Sequence, residues 1–141
     1  MSWQKSIEEL RRRERLAEKM GGEEPVSRQR GRGKLTVRER VAFLADPGSF
    51  HEIGKIAGNA TYGADDELEH FTPSNSVMGR AQLNGKSTVI LADDFTVRGG
   101  AADASIWQKM VQAIKMAAEY RLPLVQMIDV LVDMWEAEGL Y

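Results

Sequence analysis

Apolar positions recur with a helical period near both ends of the chain and with a period of two in its middle, so the pattern alternates between helix and strand. Trp3, Ile7, Leu10 and Ala17 fall on one stripe, and Ser6 with Glu9 has capping-box spacing, which predicts a helix over residues 3–20 ending at Gly21-Gly22. Residues 21–35, rich in Gly, Arg and Gln around Pro25, read as a connector with room for a short helical turn. Thr36 and Glu39 repeat the box ahead of Val41, Phe43 and Leu44, and Asp46-Pro47-Gly48 stops this second helix. Residues 49–53 predict a short strand. Residues 54–76 hold Gly, Asn, Pro and the acidic run 65–70 without sustained period and read as a loop.

The pattern sharpens from Val77 onward. Val77, Gly79, Ala81 and Leu83 alternate, Asn84-Gly85 is a two-residue hairpin signal, and residues 88–95 follow as a second strand. Ile106, Met110, Ala113, Ile114 and Ala117 mark one helical face over residues 103–120, broadened by Trp107, Val111 and Ala118. Pro123 closes that helix before the unbroken apolar run Leu124–Ile128, which suits a strand covered on both faces. Strand, helix and strand make a βαβ unit with parallel strands. A sheet of two or three strands is underfilled, so a partner or the segment Val130–Tyr141, with Leu131, Met134 and Trp135, is expected to cover it. The expected fold class is therefore α/β, a hairpin plus a βαβ unit, with an N-terminal helical arm over 1–48 and an α/β domain over 49–141.

Composition and charge narrow the function classes. With 141 residues, 43% of them hydrophobic, the chain can bury one modest core. The absence of cysteine excludes a disulfide scaffold and thiolate metal sites, and fits a reducing cytoplasm. No run approaches the roughly 18 apolar residues of a membrane span, so the expected location is cytoplasmic. The net charge of −2 conceals a basic front: residues 1–40 carry 12 Lys and Arg against 7 Asp and Glu. Arg11, Arg12, Arg13 and Arg15 alternate with Glu8, Glu9, Glu14 and Glu18 at spacings that favour pairs within a helix, which argues for a solvated or subunit-facing helix ahead of phosphate or nucleic-acid contact.

Candidate chemistry is sparse. Gly85-Lys86-Ser87 imitates the end of a phosphate loop, but Gly79 is one residue too far upstream and the segment leads into a strand rather than a helix. Asp65, Asp66, Glu67, Glu69 and His70 lack calcium-loop and zinc-helix spacings, so a solvated loop is expected and no metal site is assigned. His51 reads as a packed or edge residue. Asp93, Asp94 and Asp129 sit near strand ends, where carboxylates do acid–base work or cap loops; no catalytic residue is assigned. The strongest element is Gly99-Gly100, between a strand and a helix start, where bare peptide N–H groups and a helix terminus favour an acyl or phosphorylated ligand. On the residues alone a purely structural turn stands equally beside that reading.

Three segments, in order, alter the balance: GRGKLTVRER at 31–40, DPGSF at 46–50 and DDFTVRGGAADA at 93–104, followed by IWQKMVQAIKMAAEYRLPLVQMID at 106–129. Together they resemble the N-terminal part of the carboxyltransferase (beta) subunit of biotin-dependent acyl-CoA carboxylases, of the propionyl-, acetyl- and methylcrotonyl-CoA type, over roughly residues 3–129. The resemblance implies a partial ClpP/crotonase-like fold and carboxyl transfer from carboxybiotin to acyl-CoA. It implies biotin carried on a partner, a biotin carboxyl carrier or biotin carboxylase subunit, within a homo- or hetero-oligomer. Arg98, Gly99, Gly100, Ala101 and Ala102 are the implied acyl-CoA contacts. The chain departs from the family after Asp129: where the family has a glycine-rich oxyanion segment and a second domain, it has Val130, Leu131 and Val132. The expectation is a truncated carboxyltransferase-like chain, inactive alone. A different class is an assembly or regulatory module that docks onto a full-length carboxyltransferase subunit.

Overall fold

The computed structural model describes residues 2–101 and 104–129. Helices α1 (Gln4–Glu18), α2 (Glu23–Gly31) and α3 (Val37–Leu44) come first, then strands β1 (His51–Ile53), β2 (Gly58–Tyr62), β3 (Leu68–Pro73), β4 (Ser76–Leu83) and β5 (Lys86–Asp93). A 3-10 turn at Arg98–Gly100, helix α4 (Ala104–Tyr120) and strand β6 (Leu124–Met127) complete the order.

The predicted hairpin is β4–β5, in register from Ser76 against Asp93 to Leu83 against Lys86. Its turn uses left-handed Asn84 (φ 50) and Gly85 (φ 75), the geometry that matches strand twist. The Asp46 carboxylate accepts both of their N–H groups at 2.9 and 2.8 Å, fixing the end of α3 to the turn. β6 joins β5 in parallel, as the βαβ reading expects. β1 adds to the other side, giving a four-stranded sheet of order β1-β4-β5-β6, wider than the two or three strands expected.

Alternation along β4 and β5 splits the core. Val77, Ala81, Ile90 and Ala92 pack against Val37 and Val41 of α3 and Ala45 just beyond it, while Met78, Val89 and Leu91 pack against Ala113 and Ala117 of α4. A slip of one residue would exchange these faces. α3 forms where Thr36 caps it: the Thr36 side chain accepts from the Glu39 N–H at 3.3 Å and the Glu39 carboxylate accepts from the Thr36 N–H at 2.8 Å.

Four expectations are corrected. Residues 54–76 are not a loop but contain the antiparallel pair β2–β3, bulged at Thr61/Tyr62, against which α1 packs through Ala17, Leu68 and Phe71. The connector 21–35 carries a full nine-residue helix, α2. Ser6 caps nothing: it lies inside α1, whose N-cap is Trp3, and Trp3, Ile7 and Leu10 stay exposed while Ala17 is buried. Finally, β6 is an edge strand with Leu124 and Gln126 exposed rather than covered on both faces. Residues 130–141, expected to help cover the sheet, lie outside the described residues.

Candidate functional site

β5 carries the chain out of the sheet at Asp93, and the arm helices α2 and α3 lie over that exit. Asp129, at the same end of the sheet just beyond β6, accepts from Gln29 Nε2 at 2.8 Å and pairs with Lys34 at 3.4 Å and Arg40 at 3.6 Å. Arg40 also donates to the Asp93 carbonyl at 2.6 Å. Burial raises the Asp93 carboxyl pKa, opposed by nearby Arg40 and reinforced by the charge of Asp129. The Asp94 carboxyl is raised by deeper burial, against hydrogen bonds from the Thr96 hydroxyl at 2.6 Å and the Thr96 N–H at 3.0 Å. The Asp129 and Asp94 carboxylates therefore anchor the arm and a turn, the capping alternative left open by their positions, while Asp93 takes part through its backbone carbonyl.

Beyond Asp94 the backbone makes an unusual bend. Arg98, Gly99 and Gly100 are all left-handed, at φ 50, 59 and 73. Glycine accepts this without steric conflict, whereas Arg98 does not. The Gly100 and Ala101 N–H groups close the turn onto the Val97 and Arg98 carbonyls at 3.1 Å each. Among the described residues the Gly99 N–H has no acceptor. On its far side the arm meets the loop at Gly21, whose N–H donates to Thr96 Oγ1 at 3.0 Å. A side chain at Gly21 would collide with the Thr96 carbonyl, only 1.8 Å from where its Cβ would stand.

Between α2 and this turn lies a cavity of about 410 Å³ lined by Pro25, Arg28, Gln29, Arg32, Phe95, Thr96, Arg98 and Gly99. Among the described residues its wall holds three arginines and no acidic side chain, with Arg28 also paired to Glu24 at 2.7 Å, an electrostatic setting for a phosphorylated ligand. A second hollow of about 370 Å³ shares Pro25, Thr96 and Arg98 with it and is lined mainly by apolar groups, including Leu16, Met20, Phe71, Pro73 and Val97. The two hollows adjoin the same turn, and the second also carries Lys19 on its wall.

Of the residues singled out from sequence, the structure gathers Arg98, Gly99, Gly100 and Ala101 in the turn, with Arg98 and Gly99 on the cavity wall; Ala102 lies outside the described residues. Asp65 and Asp66 sit in the β2–β3 turn, where Glu67 pairs with Lys5. His51 pairs with Arg80 at the β1 edge. Arg28 and Arg32 were not singled out. Their signal lay in Glu24 preceding Arg28 by four residues, an intrahelical pair at 2.7 Å, between the helix-ending glycines Gly22 and Gly33.

The family model described as carboxyl transferase domain matches residues 28–131. The chain is 32% identical over 124 residues to the mitochondrial propionyl-CoA carboxylase beta chain of Homo sapiens, covering 86% of this chain and 23% of that one. It is 38% identical over 111 residues to the mitochondrial methylcrotonoyl-CoA carboxylase beta chain of Arabidopsis thaliana, covering 77% and 18%. Among solved structures, transcarboxylase 12S with methylmalonyl-coenzyme A and methylmalonic acid bound superposes with a TM-score of 0.76 at 29% identity, over 92% of this chain and 25% of that one. A single-chain, multi-domain long-chain acyl-CoA carboxylase gives 0.70 at 25% identity, over 86% and 14%. The chain thus spans about a fifth to a quarter of the length of the curated relatives it matches.

Proposed function

The chain belongs to the carboxyl transferase domain family, and from that premise we propose that it supplies the acyl-CoA-holding face of a biotin-dependent acyl-CoA carboxyltransferase. The observation that carries this reading is the cavity in which Arg28, Arg32 and Arg98 converge beside the Gly99 backbone at the sheet end of β5. Coenzyme A presents phosphates at one end and a thioester at the other. The guanidiniums meet the phosphates as charge-assisted, fork-shaped donors. On this reading Arg98 and Gly99 of the turn contact the ligand in that cavity, and Gly100, Ala101 and Ala102 are contacts implied by the family resemblance.

In the complete reaction carboxybiotin on a partner subunit would supply the carboxyl group, its N–C bond to the carboxyl breaking as the bond to the α-carbon forms, and the α-proton of the acyl-CoA would pass, by way of an enolate, to the freed biotin nitrogen. Each preorganised amide donor aimed at such an oxygen contributes about 2.7–4 kcal/mol. Val130, Leu131 and Val132 stand where the family resemblance calls for glycine, and their β-carbons restrict the backbone angles an amide cradle uses. The chain on this reading binds acyl-CoA and does not turn it over unaided. It works in an oligomer that includes a biotin-carrying subunit, in the cytoplasm; among the described residues no helix is long and apolar enough to cross a membrane.

Calorimetric titration with coenzyme A and propionyl-CoA tests the binding part: saturable binding that weakens with salt and in Arg28→Ala or Arg32→Ala supports it, and no binding at millimolar ligand refutes it. Turnover of malonyl-CoA or methylmalonyl-CoA with free biotin by the purified chain would contradict the inactive part. A second reading, an assembly module that docks onto a full-length carboxyltransferase subunit, is favoured by the position of β6 at the sheet edge among the described residues, beside the exposed α4 residues Trp107, Val111 and Ile114.

A further inference from the structure

From β3 into the first residue of β4 the chain runs through Ser74, Asn75 and Ser76, which are only 4%, 2% and 1% exposed. Such burial calls for polar partners; Ser74 finds them at Ala57 and Ser76, the Ser76 hydroxyl has none among the described residues, and those of Asn75 lie at both ends of the glycine turn. The Asn75 carbonyl accepts from the Asp94 N–H at 2.8 Å, where the chain enters the loop. The Asn75 side chain donates through Nδ2 to the Ala101 carbonyl at 2.6 Å, where the chain leaves it. One residue therefore grips the loop at entry and exit.

We propose that Asn75 is the positioning residue of the acyl-CoA site, its side-chain amide holding the Ala101 carbonyl so that the left-handed Arg98–Gly100 turn keeps Gly99 on the cavity wall. The inference rests on the acyl-CoA reading for its ligand but not for its geometry. Left-handed backbone at a residue bearing a side chain, as at Arg98, persists where the surroundings hold it in place. Closure of the turn by its own N–H groups leaves the Ala101 carbonyl facing the protein body, and Asn75 is the group that meets it. The connection is itself anchored from α4, since Lys109 Nζ donates to the Ser76 carbonyl at 2.6 Å and Ser74 Oγ donates to the same oxygen at 3.2 Å.

The amide's orientation is fixed by chemistry. Exchanging Oδ1 and Nδ2 would set two oxygens 2.6 Å apart, and Asn75 Oδ1 is buried without a hydrogen-bond partner among the described residues. The side chain is thus kept for its donor alone, in spite of an unsatisfied acceptor. Aspartate, of the same shape, presents only acceptors when ionised. Alanine reaches nothing.

The test uses the full chain labelled with ¹⁵N, comparing wild type, Asn75→Asp, Asn75→Ala and, as a control for general destabilisation, Thr36→Ala. Both Asn75 variants should displace or broaden the Gly99, Gly100 and Ala101 amide signals and weaken coenzyme A binding about tenfold, the worth of one well-made hydrogen bond, while Thr36→Ala leaves those signals and the affinity in place. Folded Asn75 variants with unmoved signals and affinity within about twofold of wild type overturn the proposal. If the variants do not fold, the wild-type protein decides: a solvent-protected Asn75 side-chain proton with a through-space contact to Ala101 supports the grip, and a freely exchanging one refutes it. A wild type that fails to bind coenzyme A removes the acyl-CoA reading, while the amide shifts still judge Asn75.

Discussion

Lys109 is 5% exposed, its ammonium resting on the Ser76 carbonyl, and burial lowers its pKa from 10.5 to about 8. Glu52 and Asp94 oppose that shift and Arg38 adds to it. The unfolded chain keeps the proton up to the ordinary value, so between pH 8 and 10.5 the unfolded state binds more protons than the native one. Stability must then rise with pH across this window, and the burial penalty is present in full below it. Thermal unfolding at pH 7.5 and 9.5 should show wild type gaining on Lys109→Met as pH rises, other titrations cancelling in the difference; a constant gap between the two sinks this account. The glycines give a second residue-level contrast. A Cβ at Gly100 would stand 2.8 Å from the Phe95 ring on left-handed backbone, whereas Gly99 faces open space. Gly100→Ala should therefore cost more than about 1 kcal/mol and more than Gly99→Ala, read from denaturant midpoints. Sequence alone pointed to this glycine pair because few residues tolerate positive φ, but it carried no sign that Asn75 would reach it, since that contact joins positions 26 apart through the sheet.

Local chemistry decides which elements were legible. Thr36–Glu39 forms the reciprocal cap that its spacing announces, and Thr36→Ala should remove about 1 kcal/mol, lowering the melting temperature by about 4 °C for a chain of this size as measured by calorimetry. The Asn84-Gly85 hairpin was equally plain, because a two-residue turn of that composition has few other uses. α2 was underread because Pro25 suggests a break, yet it occupies the first helical turn, where a missing N–H costs nothing. β2 and β3 were hidden for a different reason. Their alternation is weak since both strands are largely exposed except at Leu68, Phe71 and Pro73, and the bulge at Thr61/Tyr62 breaks the period. What stabilises them is α1, through the Arg12 guanidinium on the Leu68 carbonyl at 2.7 Å and Arg13 stacked near Tyr62 and Phe71. Such tertiary support leaves no mark in a local window. The same holds for the cavity, where Arg28 and Arg32 come from α2 and its C-cap and Arg98 and Gly99 from a loop some 70 residues later.

At the scale of the molecule, the sheet is protected at β1 by its short length and, among the described residues, ends at β6 on the other side. Trp107 at 64%, Ile114 at 51% and Ile128 at 63% exposure lie on α4 and just past β6, an apolar area that marks a contact site when contiguous. If the assembly reading is right, replacing Trp107 and Ile114 together by glutamate should abolish co-purification with a full-length carboxyltransferase subunit while leaving circular dichroism and coenzyme A affinity unchanged; retained co-purification would remove that reading. The strand order has a further implication in time. Strands β1, β4 and β5 pair antiparallel within one contiguous stretch, but β6 reaches its place only after α4 has wound and crossed the sheet, and parallel pairing across such a separation is slow. During synthesis the flank of β5 from Val89 to Ala92 therefore waits uncovered, and that interval, rather than the finished protein, is when a chaperone or a sister chain would have its best chance to intervene.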